Sequence, residues 1–329
     1  MEFKILNKDP LNILSSTSYV VQNSNQVSID EQNIKKTVRV VQDFLLKNKD
    51  LSEAGVTVSE NIDVDIQLSL IIDSINFCFW AEKDKEKWMV EWPKGAKTGG
   101  WYSLLNSFKR AASNGIDLSD TTTLSNLSIE QVSKIFLGTN NIQIPLIKQR
   151  HGNLKETGSV LNDMFDGKVQ NLLEESEYDA IKLVRLVYKN FKSFQDKTKY
   201  KSKDVFFYKR AQIVAQDINL LLQKKGKALR NIDQLTAFAD YKLPQIFRNL
   251  GLIKYSKDLA DKIDNYVLIK KDSEEETEIR SATIWAVELI RQELEGDYLT
   301  SDIDNAIWLI SQDKSGEIQP YHRTNTIYY

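Results

Sequence analysis

Residues 236–256 read TAFADYKLPQIFRNLGLIKYS. Leu243-Pro244 suits a helix start, because the N–H that proline lacks is not used in the first helical turn. Gly251 permits a tight turn, and Tyr255-Ser256 leads into the next helical pattern, SKDLADKIDNYVLI. The stretch therefore reads as a helix–turn–helix hairpin, a unit found in many helical proteins and so a weak functional signal. Asp240 is out of place in it, standing between Phe238 and Tyr241 in an apolar, aromatic run. Acids are rarely buried unless paired or hydrogen-bonded. Two readings stay open: a cap for the helix that starts at or just before Leu243, or a carboxylate held in a pocket for chemistry.

The flanking sequence has the same helical character. FYKRAQIVAQDINLLLQKKG forms a helix ended by Gly226, and Leu173, Leu183, Val184, Leu186 and Val187 supply a core face upstream. LSIEQVSKIFLG has Ser128 as cap and Gly138 as terminator. Near the start, Ser28 as cap with Glu31 three positions on precedes Ile34, Val38, Val41 and Leu45 at helical spacing. IDVDIQLSLIIDSINFCFW fits a strand at its start and a buried helix in its middle, and periodicity does not decide between them. The acidic run Asp272–Glu278 is a solvated helix start leading into IRSATIWAVELI, and SDIDNAIWLISQD is the last helix. Pro93, Gly95, Gly99 and Gly100 punctuate residues 83–102, which read as a small hairpin or irregular excursion with aromatic anchors. The fold class is thus mostly α, with a small irregular or β excursion near residues 83–102. Residues 1–15 are expected to be a flexible N-terminus. Residues 16–329 are expected to form a single compact helical domain, as one unit or two closely packed lobes. No glycine-rich strand–turn–helix fingerprint is present, which disfavours dinucleotide and P-loop folds.

Composition narrows the functional classes. With 41% apolar and 27% charged residues and a net charge of −2, the 329-residue chain suits a folded protein with a substantial core. It lacks the basic excess of proteins that coat long nucleic acid. Cys78 is the one cysteine, so no disulfide forms within the chain and no cysteine-based zinc cluster is possible. With only His151 and His322, a histidine-rich metal site is not expected. There is no leader-like apolar core and no run of 18 apolar residues, which points to an intracellular, cytoplasmic protein without a membrane span.

Several residues are candidates for chemistry, each with a bland alternative. DSINFCFW (73–80) sets Asp73 and Asn76 beside Phe77, Phe79 and Trp80. It is either a core segment whose polar groups bond locally or the wall of a planar-ligand pocket, with rings to stack and polar groups to read edges. Lys209 and Arg210 sit at a helix start, as a solvated face or a phosphate clamp. His151, beside Arg150, is a surface or capping histidine or a phosphate contact. Asp304 and Asn305 lie at the start of the last helix, where capping is the alternative. Cys78 reads as an inert buried thiol.

Longer segments carry a family resemblance. DSINFCFW (73–80), GGWYSLLNSFKRAASNGI (99–116), IPLIKQRHGNLKETG (144–158), FFYKRAQI (206–213), LTAFADYKLPQ (235–245), EIRSATIWAVELI (278–290) and YHRTNTIYY (321–329) closely resemble the queuosine salvage proteins, in one order from about residue 65 to the end. The resemblance implies a helical fold like that of DNA glycosylases, acting on a free modified nucleotide. It implies hydrolysis of queuosine 5′-phosphate to release queuine, a 7-deazaguanine base reused in tRNA modification, with no cofactor. Asp240 matches the family's catalytic aspartate, Phe238 its base-contacting phenylalanine and Asp304 a second acidic position. The chain departs from the pattern at Asp304-Asn305 and Trp308-Leu309, where the family commonly shows Asp-Tyr and then Trp-Asp. It also has no histidine before His151.

The chemistry implied suits these residues. Breaking an N-glycosidic bond builds positive charge on the ribose, which a shielded carboxylate stabilises, attacks, or quenches by activating water. Asp240 is the candidate. Phe238 would wall the base, Asp73 and Asn76 would orient polar edges, and Asp304 with Asn305 would bind the base or its appended hydroxyl groups. Lys209, Arg210 and His151 are the phosphate candidates, chosen by charge. The expected partners are the small-molecule substrate and its product, with no long nucleic acid and no membrane; oligomeric state is not readable from the sequence. The alternatives are a hydrolysis-deficient protein that holds the base or nucleotide, and a helical nucleic-acid-binding or repair protein.

Overall fold

The computed structural model describes residues 3–6, 8–48, 55–312 and 318–329. Helices dominate, as the periodicity predicts. In chain order the elements are α1 (Ile13–Gln22), β1 (Val27–Ile29), α2 (Ile34–Lys47), α3 (Ile62–Asp73), β2 (Met89–Glu91), β3 (Lys97–Gly99), α4 (Gly100–Ser113), α5 (Thr121–Asn126), α6 (Ile129–Ile135), α7 (Ile147–Phe165) and α8 (Val169–Glu175). They continue with α9 (Ala180–Asn190), β4 (Lys197–Tyr200), β5 (Lys203–Phe206), α10 (Lys209–Gln223), α11 (Lys242–Asn249), β6 (Ile253–Tyr255), α12 (Lys257–Asp264), α13 (Glu274–Glu293) and α14 (Thr300–Ile310). The strands form three separate antiparallel pairs: β1 with β6, β2 with β3, and β4 with β5.

α13 is the axis. From Glu276 to Ile290 every residue is buried, which is how a helix flanked on all sides reads. The acidic run predicts a solvated start, and only its first part is one: Asp272 and Glu274 are exposed, and Ser273 caps by accepting from the Glu276 N–H. Glu276 and Glu278 are buried, Glu278 accepting from Ser24, Tyr200 and the N–H groups of Asn25 and Gln26. α1, α2, α11 and α14 pack around it. One group of buried apolar side chains surrounds α13, α10 and α9. A second gathers the end of α3, the β2–β3 hairpin, α4, α6 and the C-terminal Tyr329. The 83–102 excursion is the β2–β3 hairpin, anchored by buried Trp88, whose Nε1 donates to the Phe136 carbonyl at 2.9 Å.

Three local expectations change. Ser28 is not a helix cap: Val27 and Ile29 alternate across β1, which pairs with Tyr255 and Ile253, so Ser28 is a strand residue. Asp30 instead caps the single 3-10 turn Glu31–Asn33 by accepting from the Gln32 N–H, and that turn leads into α2 at Ile34. For the same reason the hairpin after α11 is helix–strand–helix. Gly251 turns the chain at φ +78°, β6 follows, and Ser256 then caps α12 by accepting from Leu259 N–H at 3.2 Å. In the stretch expected to be loose, residues 1, 2 and 7 lie outside the described residues, while Leu11, Ile13 and Leu14 are buried and Phe3 packs edge-on against Trp285. These apolar side chains have a core face to cover, so helical structure begins before residue 16.

Candidate active site

The segment between α10 and α11, residues 235–241, is not helical, yet all of it is buried. Its backbone groups need partners, and three helices supply them. Gln212 of α10 accepts from Thr236 N–H at 2.8 Å and donates to Thr236 Oγ1 at 3.1 Å. Asp304 of α14 accepts from Phe238 N–H through Oδ2 at 2.7 Å. Arg280 of α13 donates from Nε to the Ala239 carbonyl at 3.3 Å. Asp240 then caps α11: its Oδ1 accepts from the N–H groups of Lys242 at 2.7 Å and Leu243 at 3.0 Å. Oδ2 makes no hydrogen bond among the described residues and is left for the cavity that Asp240 lines.

A second irregular segment, residues 74–80, forms the facing wall. Two fully buried arginines hold its carbonyls. Arg150 of α7 donates to the carbonyls of Ile75, Phe77 and Cys78, and Arg210 of α10 donates to those of Asp73, Ser74 and Ser193. Cys78 N–H donates to the carbonyl of Tyr329 at 2.9 Å, which pins the chain end to this wall. Cys78 itself is buried, and burial pushes its thiol up to about 11, as an inert thiol requires.

The cavity between these walls has a volume of about 710 Å³, within the usual range for small-molecule sites. Aromatic rings from Phe77, Phe79, Trp101, Phe238, Tyr241 and Tyr321 line it, with Asn76, Gln216, Asp217, Asp240, Asp304 and Asn305 as polar groups. Lys209 lies on the same wall and is buried. Lys87, Lys97 and Lys242 complete the cationic lining, and the first two are exposed. Among the described residues no group of three or more His, Cys, Asp or Glu side chains is arranged to hold a metal ion.

The buried charges are unequal in sign. Burial pulls the Lys209 ammonium down, while Asp240, Asp73 and Asp304 oppose that. Burial raises Asp240; Lys209 and the two N–H donors work against it. Burial raises Asp304 well above the carboxylate range, and the negative charge of Asp240 adds to it. Environment therefore separates these two acids: Asp304 keeps its proton more readily, and Asp240 is the better anion.

Of the residues singled out from sequence, Asp240, Phe238, Asp304, Asn305, Asn76 and Lys209 share this cavity. Three do not. Asp73 is buried behind Asn76, whose Nδ2 donates to its Oδ1 at 3.1 Å. Arg210 commits both terminal guanidinium nitrogens to backbone carbonyls and does not line the cavity, so it is no phosphate clamp. His151 sits on α7 with Nε2 at 2.8 Å from the Leu127 carbonyl, a structural contact away from the cavity. Charge alone suggested Arg210 and His151, and it cannot show whether irregular backbone nearby will claim a donor. Sequence reasoning also passed over Gln216 and Asp217. The usable signal was spacing: Lys209, Ile213, Gln216 and Asp217 fall on one face of α10, and three of these four are polar or charged.

Residues 58–329 match the family described as queuosine salvage protein. The chain belongs to the queuosine salvage protein family. Similar curated proteins include one from Sphaerobacter thermophilus, 34% identical over 98% of this chain and 98% of its own. One from Mus musculus is 32% identical over 97% of this chain and 99% of its own, and one from Bos taurus is 32% identical over 95% and 97%. Each is named queuosine 5′-phosphate N-glycosylase/hydrolase. The three positions that the queuosine salvage resemblance singles out, Asp240, Phe238 and Asp304, meet in one cavity. Of the departures, Asn305 is on the cavity wall and Leu309 is not; Trp308 of α14 and Ser311 and Gln312 just beyond it are the neighbouring contributions.

Proposed function

We propose that this protein is an N-glycosylase that hydrolyses queuosine 5′-phosphate, releasing queuine for reuse in tRNA modification. The observation that carries the reading is Asp240, which has one oxygen fixed by the start of α11 and the other on an aromatic-lined cavity beside Lys209. A carboxylate anchored in this way is preorganised and needs no reorganisation as charge develops at C1′. The base stacks against Phe238, with Asn76, Asp304 and Asn305 at its polar edges. Asp304, held by Phe238 N–H through one oxygen, offers the base the other. Asp240 stabilises the cationic ribose and takes a proton from the attacking water. Lys209 keeps Asp240 ionised in spite of its burial. With Arg210 and His151 occupied elsewhere, Lys87, Lys97 and Lys242 are the cations proposed to meet the 5′-phosphate. The reaction needs no cofactor.

We place the activity in the cytoplasm, on a chain that acts as a single domain; among the described residues no helix is long and apolar enough to cross a membrane. Incubation with queuosine 5′-phosphate, followed by chromatography, should show queuine and ribose 5-phosphate appearing in equal amounts. Tight binding with no release would instead make the chain a hydrolysis-deficient binding protein, the alternative that Leu309 and the lack of a histidine before His151 raise.

A further inference from the structure

Cleavage of a glycosidic bond has two ends. Asp240 serves the ribose, and no group named so far gives a proton to the leaving base, whose nitrogen takes the bonding electron pair. The wall formed by α10 and the end of α3 holds groups suited to that end. α3 packs along α10, and Arg210 of α10 ties down the last carbonyls of α3. Here Asp73 and Asp217 are buried, at 0% and 4% exposure. Oδ2 of each has no hydrogen-bond partner among the described residues. A buried carboxylate oxygen without a donor is costly, and a proton kept on the carboxyl lowers that cost, the more so for Asp217 because the charge of Asp73 acts on it. Asp217 is the one on the cavity wall, and Gln216 beside it is also 3% exposed with an unpartnered Oε1. Asp73 reaches the cavity only through Asn76.

We propose that Asp217 is the general acid of the reaction, giving the leaving base a proton from the carboxyl pair it forms with Asp73. This rests on the N-glycosylase reading. The C1′–N bond breaks with its electrons going to the base, and the base takes the Asp217 proton on that nitrogen or on an acceptor conjugated with it. Water bonds to C1′ through oxygen and gives its proton to Asp240. After the products leave, solvent exchange removes the proton from Asp240 and restores one to Asp217, so one water is consumed overall.

The electrostatics fit. Burial, then the charge of Asp73, raises Asp217 well above the carboxylate range, against the pull of Lys209. Burial brings Asp73 up to about 7, opposed by Asn76, Lys209 and Arg210. The α9 face packed against α10 is apolar, carrying Leu183, Val184 and Val187. Asp304 is the rival acid, but one of its oxygens is committed to Phe238 N–H, whereas no hydrogen bond occupies Asp217.

The test uses leaving groups. Asp217→Asn replaces a protonated carboxyl by a neutral group of the same shape, so the fold is retained. Its kcat/KM on queuosine 5′-phosphate should fall by about 10²–10⁴. On 4-nitrophenyl β-ribofuranoside 5-phosphate, whose leaving group needs no proton, it should stay within a few-fold of the parent protein, while Asp240→Asn loses both activities. Equal loss on both substrates, an unchanged rate on queuosine 5′-phosphate, or the same leaving-group dependence in Asp304→Asn instead would overturn the assignment. If the parent protein refuses the nitrophenyl substrate, the pH profile decides. Asp73→Asn removes the like charge, so the alkaline limb of kcat should move to lower pH, and an unmoved limb refutes the pair. A parent protein that does not cleave queuosine 5′-phosphate at all refutes the proposed function instead.

Discussion

Replacing Asp240 by asparagine tests whether one side chain both caps a helix and does chemistry. Asparagine keeps an oxygen for the Lys242 and Leu243 N–H groups, which Asp240 now binds at 2.7 and 3.0 Å, and the two residue types cap about equally well. The change in stability should therefore stay within about 1 kcal/mol. Its sign follows from the burial that raises the Asp240 carboxyl. A folded-state value above the unfolded one means that ionising the group weakens the fold, so the stability it contributes is full in acid and is lost as pH rises. The neutral variant escapes this loss and should melt no lower than the parent at pH 8. Catalysis should respond very differently. Losing the charge at C1′ costs about 10²–10³ in rate, by analogy with a lost oxyanion-hole donor, and losing the base that accepts the water proton adds to that. A fall in kcat of at least about 10³ is expected, or about 4 kcal/mol of barrier. Asp240→Ala should add about 1 kcal/mol of destabilisation from the missing cap. Thermal melts and chromatography of released queuine read the two effects separately. An Asp240→Asn protein that is folded and hydrolyses at the parent rate would remove Asp240 from the mechanism.

Other changes probe the supports. Arg280 donates to Asp196 at 2.8 and 2.7 Å, and both side chains are 3% exposed. Arg280→Met should cost about 3–5 kcal/mol by stranding the Asp196 charge, seen as a lower denaturation midpoint, and adding Asp196→Asn should recover part of it. Asp73, raised to about 7 from an ordinary 3.8, loses its stabilising contribution as pH climbs through that window. The melting temperature of Asp73→Asn relative to the parent should accordingly rise between pH 4 and pH 8, and a flat difference would count against a strained buried pair. Replacing Lys87 and Lys97 together by alanine should raise KM for the 5′-nucleotide by about tenfold, from about 1 kcal/mol or less per exposed pair. The unphosphorylated nucleoside should be unaffected, and added salt should shrink the difference.

Much of this was legible because the signals were local. The Ser128 cap appears as a full capping box with Gln131, and the helix at Leu243-Pro244 begins at Lys242. The apolar run before Arg291 is the buried axis of the fold. The misplacements share a physical cause, since each depended on a distant partner. Ser28 became a strand residue because β6, more than 200 positions away, offered a ladder. Arg210 and His151 were assigned by charge, yet their donors were claimed by carbonyls of segments 73–74 and 193 and of Leu127. In the site, Asp240 and Phe238 drew notice as an acid and a ring in a short stretch, whereas Asp217 was hidden in a regular helix. Its meaning depends on Asp73, which arrives from α3.

The binding of segment 235–241 by α10, α13 and α14 has a consequence for how the protein matures. Three anchors for one cavity-lining loop come from chain that spans residues 212 to 304, and the opposite wall is latched to Tyr329. During synthesis, the loop emerges before two of its three anchors exist, and before the residue that latches the opposite wall. A nascent or partly unfolded chain therefore has no working pocket, and a loosened α14 should silence the enzyme before the α13 core melts.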